Sequence, residues 1–248
     1  MIHFSADLGE GSPREEEIWP LIASANVACG GHTGDEASMR EAARLAQKHN
    51  VRFGAHPSYP DRENFGSKTM AIANNALRDS LIAQLTALNT IARIEHVKPH
   101  GALYNDAHRN RILANIIVEA MQRISAGLAI VAPDDSQMAI AARAAGMQVI
   151  REAFADRRYQ SDGTLTPRSI PGSTLTIEES VAQAKLLATQ SAVIARDGTR
   201  TAISFDTICI HADMENAVER LRAIRTALRV GSSPTATARP HGRRRRLA

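Results

Sequence analysis

Short apolar runs alternate along this chain with longer stretches in which apolar residues recur every three or four positions. Ile2-His3-Phe4 reads as a first strand, and Leu21 to Ala28 leads into a second. From Asp35 to His49, the residues Met39, Ala42, Ala43 and Ala46 share one helical face. Val51 to Ala55 reads as a third strand, and Asn74 to Ala92 as a long helix with Leu77, Leu81, Leu85 and Leu88 along one side. Further strands are predicted over Glu95–Lys98, Gly127–Ala132 and Met147–Arg151, with helices over 109–124 and 135–145. A longer insertion follows, then a helix over 177–191, a last strand over Thr207–His211 and a closing helix over 215–229. Strands that alternate with helices predict a parallel sheet. Roughly seven such units predict an α/β fold of the closed (β/α)7 barrel type, with an open doubly wound sheet as the alternative; both place active sites at the carboxyl ends of the strands.

The polar motifs fall at those ends. Asp7-Leu8-Gly9-Glu10 follows the first strand, Asn26 to Asp35 the second, and His56 to Asp61 the third. Lys98-Pro99-His100-Gly101-Ala102-Leu103-Tyr104-Asn105 follows the fourth, Phe154 to Arg157 the sixth, and His211-Ala212-Asp213 the last. Four of the nine histidines, His32, His56, His100 and His211, sit at or just beyond strand ends, which predicts a shared site. His3 and His96 lie inside strands, where a satisfied near-core histidine is expected. Asp7, Glu10, Asp35, Asp61, Asp156 and Asp213 supply carboxylates, and the histidines titrate near neutrality. Lys98, Arg62, Arg157 and Arg168 supply cations for an anionic substrate. Asp7 with two histidines would also allow a divalent metal, but no HExxH or similarly compact spacing supports one, so no metal ligand is assigned. A P-loop, a GxGxxG after the first strand and a GxSxG elbow are all missing from the sequence.

Composition narrows the classes. The chain has 248 residues, 44% hydrophobic, with no apolar run long enough to cross a membrane. Its start lacks a charged-then-apolar signal pattern, so a soluble, cytoplasmic protein is expected. The net charge is +4, but Arg239 and Arg243 to Arg246 account for all of it, leaving the body at −1. The expected organisation is one barrel domain over 1–230 and a disordered basic tail over 231–248. The body carries no basic stripe, so no nucleic-acid partner is expected. The only cysteines, Cys29 and Cys209, form no CxxC pair and read as buried reduced thiols. Only four lysines stand against 26 arginines, which singles out Lys98 between His96 and His100. Long apolar helical faces are compatible with a homo-oligomer.

Six segments together resemble the LamB/YcsF family: ADLGEG (6–11), SANVACGGHTGD (24–35), GAHPSYPDRENFG (54–66), HVKPHGALYN (96–105), EAFADRRYQSDGTLTPRS (152–169) and TICIHAD (207–213). They run in the family's order over about residues 2–230. The chain departs from the pattern at His3, Phe4 and Ser5, where Asp-Leu-Asn is usual. It also departs at Gly31 (usually Phe), Thr33 (usually Ala), Ser67 (often Arg) and Ala212 (usually Gly). The resemblance implies an irregular barrel of the glycoside hydrolase/deacetylase kind. It also implies ATP-dependent opening of the 5-oxoproline lactam to L-glutamate, shared with two partner subunits, B and C. ATP, with Mg²⁺, would then be handled largely by the partners. On that reading Asp7, His32, His56, Lys98, His100 and His211 are the expected catalytic residues. Glu10, Asn26, Asp35, Tyr104, Asp156, Arg157, Arg168 and Asp213 are the expected substrate-binding residues. Lys98 and Arg157 would hold an anionic group, Asp7 with His56 or His100 would activate water, and His32 or His211 would protonate the leaving nitrogen. A stand-alone metal-dependent hydrolase or deacetylase and a non-catalytic subunit that binds a small acid are the alternatives.

Overall fold

The structure, a computed structural model, describes residues 2–230; the basic tail expected over 231–248 lies outside the described residues. Its strands are β1 (His3–Leu8), β2 (Ser24–Ala28), β3 (Arg52–His56), β4 (His96–Val97), β5 (Ala129–Ala132), β6 (Val149–Phe154), β7 (Ala192–Ile194), β8 (Arg200–Ala202) and β9 (Thr207–His211). Its α-helices are α1 (Glu36–His49), α2 (Asn74–Ile91), α3 (Gly101–Arg109), α4 (Arg111–Ile124), α5 (Gln137–Ala144), α6 (Ile177–Gln190) and α7 (Ala217–Val230). Strands β1 to β6 pair in order, all parallel, and β9 closes the barrel between β6 and β1. The expected closed seven-stranded barrel is the fold. The antiparallel hairpin β7–β8 lies outside it.

Register explains how the barrel carries chemistry. Asp7 pairs with Asn26 on β2 and with His211 on β9; Asn26 pairs with Gly54, and Gly54 with His96. Paired residues on neighbouring parallel strands point to the same face. Their side chains bond one another across the barrel, so this polar set faces inward. The alternate set, including Ala6, Leu8, Val27, Phe53, Val97, Ile130, Ile208 and Ile210, is buried in the hydrophobic core outside the strands. The arrangement inverts the barrel whose interior is filled with branched apolar side chains.

The helices follow their sequence signals. Asp35 caps α1: its carboxylate accepts from Ser38 N while the Ser38 hydroxyl reaches back to the cap, a reciprocal capping box. Thr176 and Glu179 do the same for α6. Leu77, Leu81, Leu85 and Leu88 form the buried face of α2. Five elements differ from the sequence prediction. β1 and β6 run on to Leu8 and Phe154, because the inward residues Ser5, Asp7 and Glu152 break the apolar run without ending the strand. The helix predicted over 109–124 is preceded by a separate one, α3, and the two part at Asn110, whose side chain caps α4. Tyr104 and Asn105 therefore sit on a helix rather than in a loop. The β7–β8 pair was hidden within the insertion, where its strands span only three residues each.

Candidate active site

At the carboxyl ends of the strands lies a cup of about 920 Å³. That is near the top of the ~300–1,000 Å³ range of small-molecule sites. Its floor is an ion cluster. Lys98, one residue past β4, directs its ammonium at both Asp7 oxygens (3.0 Å each), at Glu152 Oε1 (2.9 Å) and at Cys209 Sγ (3.1 Å). An ammonium has three N–H groups, and these contacts occupy them. Lys98 was expected to hold an anionic substrate group; here it is already neutralised by two carboxylates and instead fixes the floor. Burial by itself would lower Lys98, but Asp7, Cys209 and Glu152 outweigh it and raise it well above its ordinary value. Burial would likewise raise Asp7, yet His56 and Lys98 hold it well below the usual carboxylate range. Burial prevails at Glu152, which is raised. The Tyr104 hydroxyl donates to Glu152 Oε2 at 3.0 Å.

Behind the floor a buried relay positions Asp7. His96 Nε2 donates to Asn26 Oδ1 (3.0 Å), and Asn26 Nδ2 donates to Asp7 Oδ1 (2.8 Å). Burial pushes His96 down to about 3, so it is neutral near pH 7. Gly54 leaves room for this ring: a Cβ there would lie 2.2 Å from His96 Nε2. Asn26, expected to bind substrate, is fully buried in this relay and does not line the cup.

Beside the floor Glu10 gathers three histidines. Its Oε1 accepts from His32 Nε2 (3.0 Å) and lies 3.4 Å from His100 Nδ1 and 3.8 Å from His56 Nε2. His56 Nδ1 bonds Lys98 O (2.7 Å), His100 Nε2 bonds Phe65 O (3.0 Å), and the facing nitrogens of the two rings are 3.0 Å apart. The His32 and His100 rings stack in parallel with centroids 3.7 Å apart. Burial pushes His56 down to about 3 and also lowers His32. Glu10, His56 and His100 are a group that could hold a metal ion, their ligand atoms lying within 4.8 Å of one another. They come from three different strand ends, which is why no compact sequence spacing revealed them.

The opposite wall comes from β9, β6 and the segment after β6. His211 directs Nδ1 and its backbone N–H at Asp156, which is buried (3.1 Å and 2.7 Å to Oδ2). Arg168 pairs with Asp213 at 2.7 Å. Arg157 is only 6% exposed and lines the cup, donating to Thr166 O (2.7 Å) and Ser173 O (3.4 Å). No carboxylate of the described residues forms an ion pair with it, and Asp156, its neighbour in sequence, is bound to His211 instead. The other predicted residues divide. Glu10, Tyr104, Arg168, Asp213 and the catalytic set apart from His32 line the cup. His32 is buried behind Glu10, Asp156 is buried behind His211, and Asp35 is the exposed cap of α1. Sequence reading passed over Glu152, Phe65 and Cys209. An acid inside an otherwise apolar strand was the signal for Glu152; the cysteine's pairing with Lys98 had none.

Gly31 stands where the family usually has phenylalanine. A Cβ at Gly31 would lie 2.3 Å from Gln84 Oε1 and 2.4 Å from Ser58 Oγ. Gln84 brackets the Ser58 backbone, accepting from its N–H (3.0 Å) and donating to its carbonyl (2.9 Å). The space a side chain would need is taken by that bracket.

Known proteins match this chain over most of its length. The LamB/YcsF family model matches residues 2–240, ten residues past the boundary expected at 230. The A subunit of 5-oxoprolinase from Methylococcus capsulatus is 42% identical over 246 residues, covering 95% of each chain. The protein of the same name from Neisseria meningitidis serogroup A is also 42% identical, over 92% of this chain and 95% of its own. The crystal structure of the lactam utilization protein from Thermus thermophilus superposes with a TM-score of 0.85 at 39% identity, over 93% of this chain and 96% of the other. A protein of Enterococcus faecalis V583 shares the fold alone, with a TM-score of 0.57 at 11% identity over 92% of this chain and 94% of its own. With its six motifs gathered around one barrel mouth, this chain belongs to the LamB/YcsF family.

Proposed function

We propose that this chain opens the lactam ring of 5-oxoproline to give L-glutamate, as the A component of a 5-oxoprolinase completed by partner subunits B and C. The observation that carries this reading is Arg157, a buried guanidinium on the cup wall with no carboxylate partner among the described residues. A buried unpaired cation is costly. A substrate that brings its own carboxylate offsets the cost, and 5-oxoproline does. The relatives' names, which specify a 5-oxoprolinase component and a lactam utilization protein, support the same substrate class.

Residues of the two walls divide the work. Arg157 holds the carboxylate of the substrate. Asp7, kept ionised by Lys98, orients and polarises the attacking water. As the ring C–N bond breaks, His211 gives a proton to the leaving nitrogen through Nε2, because Asp156 fixes its Nδ1. Of the two candidate acids, His211 lines the cup and His32 does not. ATP would drive this uphill hydrolysis by phosphorylating the lactam oxygen. The chain has no P-loop sequence, and Arg168 on the cup wall is already paired with Asp213. We therefore assign nucleotide binding to the partner subunits and route no step through ATP here.

The test is glutamate release from 5-oxoproline and ATP by the B and C subunits, with and without this chain. Release only in its presence is expected, with Arg157→Gln raising KM at least tenfold and Arg157→Lys less. A folded chain that adds no glutamate release, or an Arg157→Gln variant with unchanged KM, overturns the proposal.

A further inference from the structure

We propose that Glu10, His56 and His100 bind a divalent first-row transition-metal ion at the barrel mouth. A backbone carbonyl only accepts hydrogen bonds. His56 must therefore carry a proton on Nδ1, against Lys98 O, and His100 must carry one on Nε2, against Phe65 O. The other nitrogen of each ring, His56 Nε2 and His100 Nδ1, is then the one available to a ligand. Those two nitrogens face each other at 3.0 Å. Glu10 Oε1 adds a third lone pair, 3.4 Å from one and 3.8 Å from the other. Asp7 Oδ2, 3.5 Å from His56 Nε2, is already held by the Lys98 ammonium and stands at the edge of the group. Three lone-pair donors converging on one point repel one another unless a cation sits between them. Ligands held ~2.0–2.2 Å from an ion at ordinary coordination angles lie roughly 3–3.5 Å apart. The observed separations need only small shifts to meet that.

The surroundings match those of a metal centre. In such sites each ligand is oriented by a second hydrogen bond on its far side. Here both histidines are, His56 by Lys98 O and His100 by Phe65 O, while Glu10 Oε1 itself is held in place by His32 Nε2. Phe65 holds its carbonyl in place from a left-handed backbone (φ 53°), which is unfavourable for a bulky residue. Gly66 follows with φ 61°; a Cβ there would meet His32 Cβ at 3.0 Å and His100 Cδ2 at 3.1 Å. Two imidazoles and one carboxylate select zinc, iron or a neighbouring ion over magnesium or calcium. All three ligands line the cup, so the ion would keep open positions facing it and could acidify a bound water. The site stands whether or not 5-oxoproline is the substrate.

Chelator-treated full-length chain is titrated with Zn²⁺ by calorimetry and with Co²⁺ by visible absorption. One ion per chain and a tetrahedral or five-coordinate Co²⁺ spectrum are expected. His100→Gln should weaken binding more than 100-fold, and His32→Gln, which removes the imidazole that holds Glu10 and stacks on His100, by about 10–100-fold. Two results overturn the proposal. One is folded wild-type chain that binds neither ion stoichiometrically, or no more tightly than His100→Gln. The other is ¹⁵N NMR of metal-exposed protein showing both His100 nitrogens protonated, which assigns a shared proton in place of a metal.

Discussion

Lys98 shows how much one side chain carries. Its ammonium joins Asp7, Glu152 and Cys209 on strands that do not adjoin β4. Removing one partner of a buried ion cluster leaves uncompensated charge and costs about 3–5 kcal/mol. Lys98→Met should destabilise the chain by that amount in urea unfolding and abolish turnover. Adding Glu152→Gln should recover part of the stability but none of the activity; full stability in the single variant would refute the cluster's role. Gly54 is as constrained for steric reasons, since any Cβ collides with His96. Gly54→Ala should cost about 1–3 kcal/mol as overpacking. It should also lower turnover by loosening the His96–Asn26–Asp7 relay, which differential scanning calorimetry and a glutamate assay would report together. The Lys98 side chain could be singled out in the sequence because lysine is rare here. What it touches could not, because Asp7 and Glu152 lie 91 and 54 positions away.

At the scale of elements, local signals and local structure agree closely. Asp35, three residues before Ser38, caps α1, and its carboxylate is exposed. Asp35→Ala should cost about 1 kcal/mol of stability and leave KM for 5-oxoproline unchanged. A raised KM would return Asp35 to the substrate-binding role that its place in SANVACGGHTGD suggested. The leucine repeat of α2 was legible because helical periodicity is local. β1 and β6 were read short for the opposite reason. Their inward faces hold Asp7 and Glu152, and a strand with a polar inner face does not present the apolar run by which buried parallel strands are recognised. α3 was missed because Lys98-Pro99-His100-Gly101 reads as a turn, and the helix that follows it is only nine residues long.

Over the whole molecule, the polar barrel interior sets a pH response. Below the ordinary histidine value of 6.5, the unfolded chain takes up a proton that native His96 refuses until about pH 3. Stability from this group is therefore full above pH 6.5 and is lost as pH falls through that window, by on the order of 5 kcal/mol in all. The depressed Asp7 acts in the same sense at lower pH. Thermal unfolding followed from pH 7 to pH 4 should show a falling midpoint, and His96→Gln, which keeps a donor to Asn26, should flatten the curve. A curve as steep in the variant as in the wild type would place the acid sensitivity elsewhere. The sequence by itself determined the alternation of strands and helices, the barrel, the family and the gathering of polar motifs at the strand ends. Those depend on periodicity and on motif order, both of which are written along the chain. Only the tertiary structure decided that Lys98 is enclosed by carboxylates, that Asp35 caps a helix, that Arg157 has no ion pair among the described residues, and that Glu10, His56 and His100 bring their ligand atoms together. Those facts depend on strand register around a closed barrel, where a one-residue slip would turn every inward side chain outward.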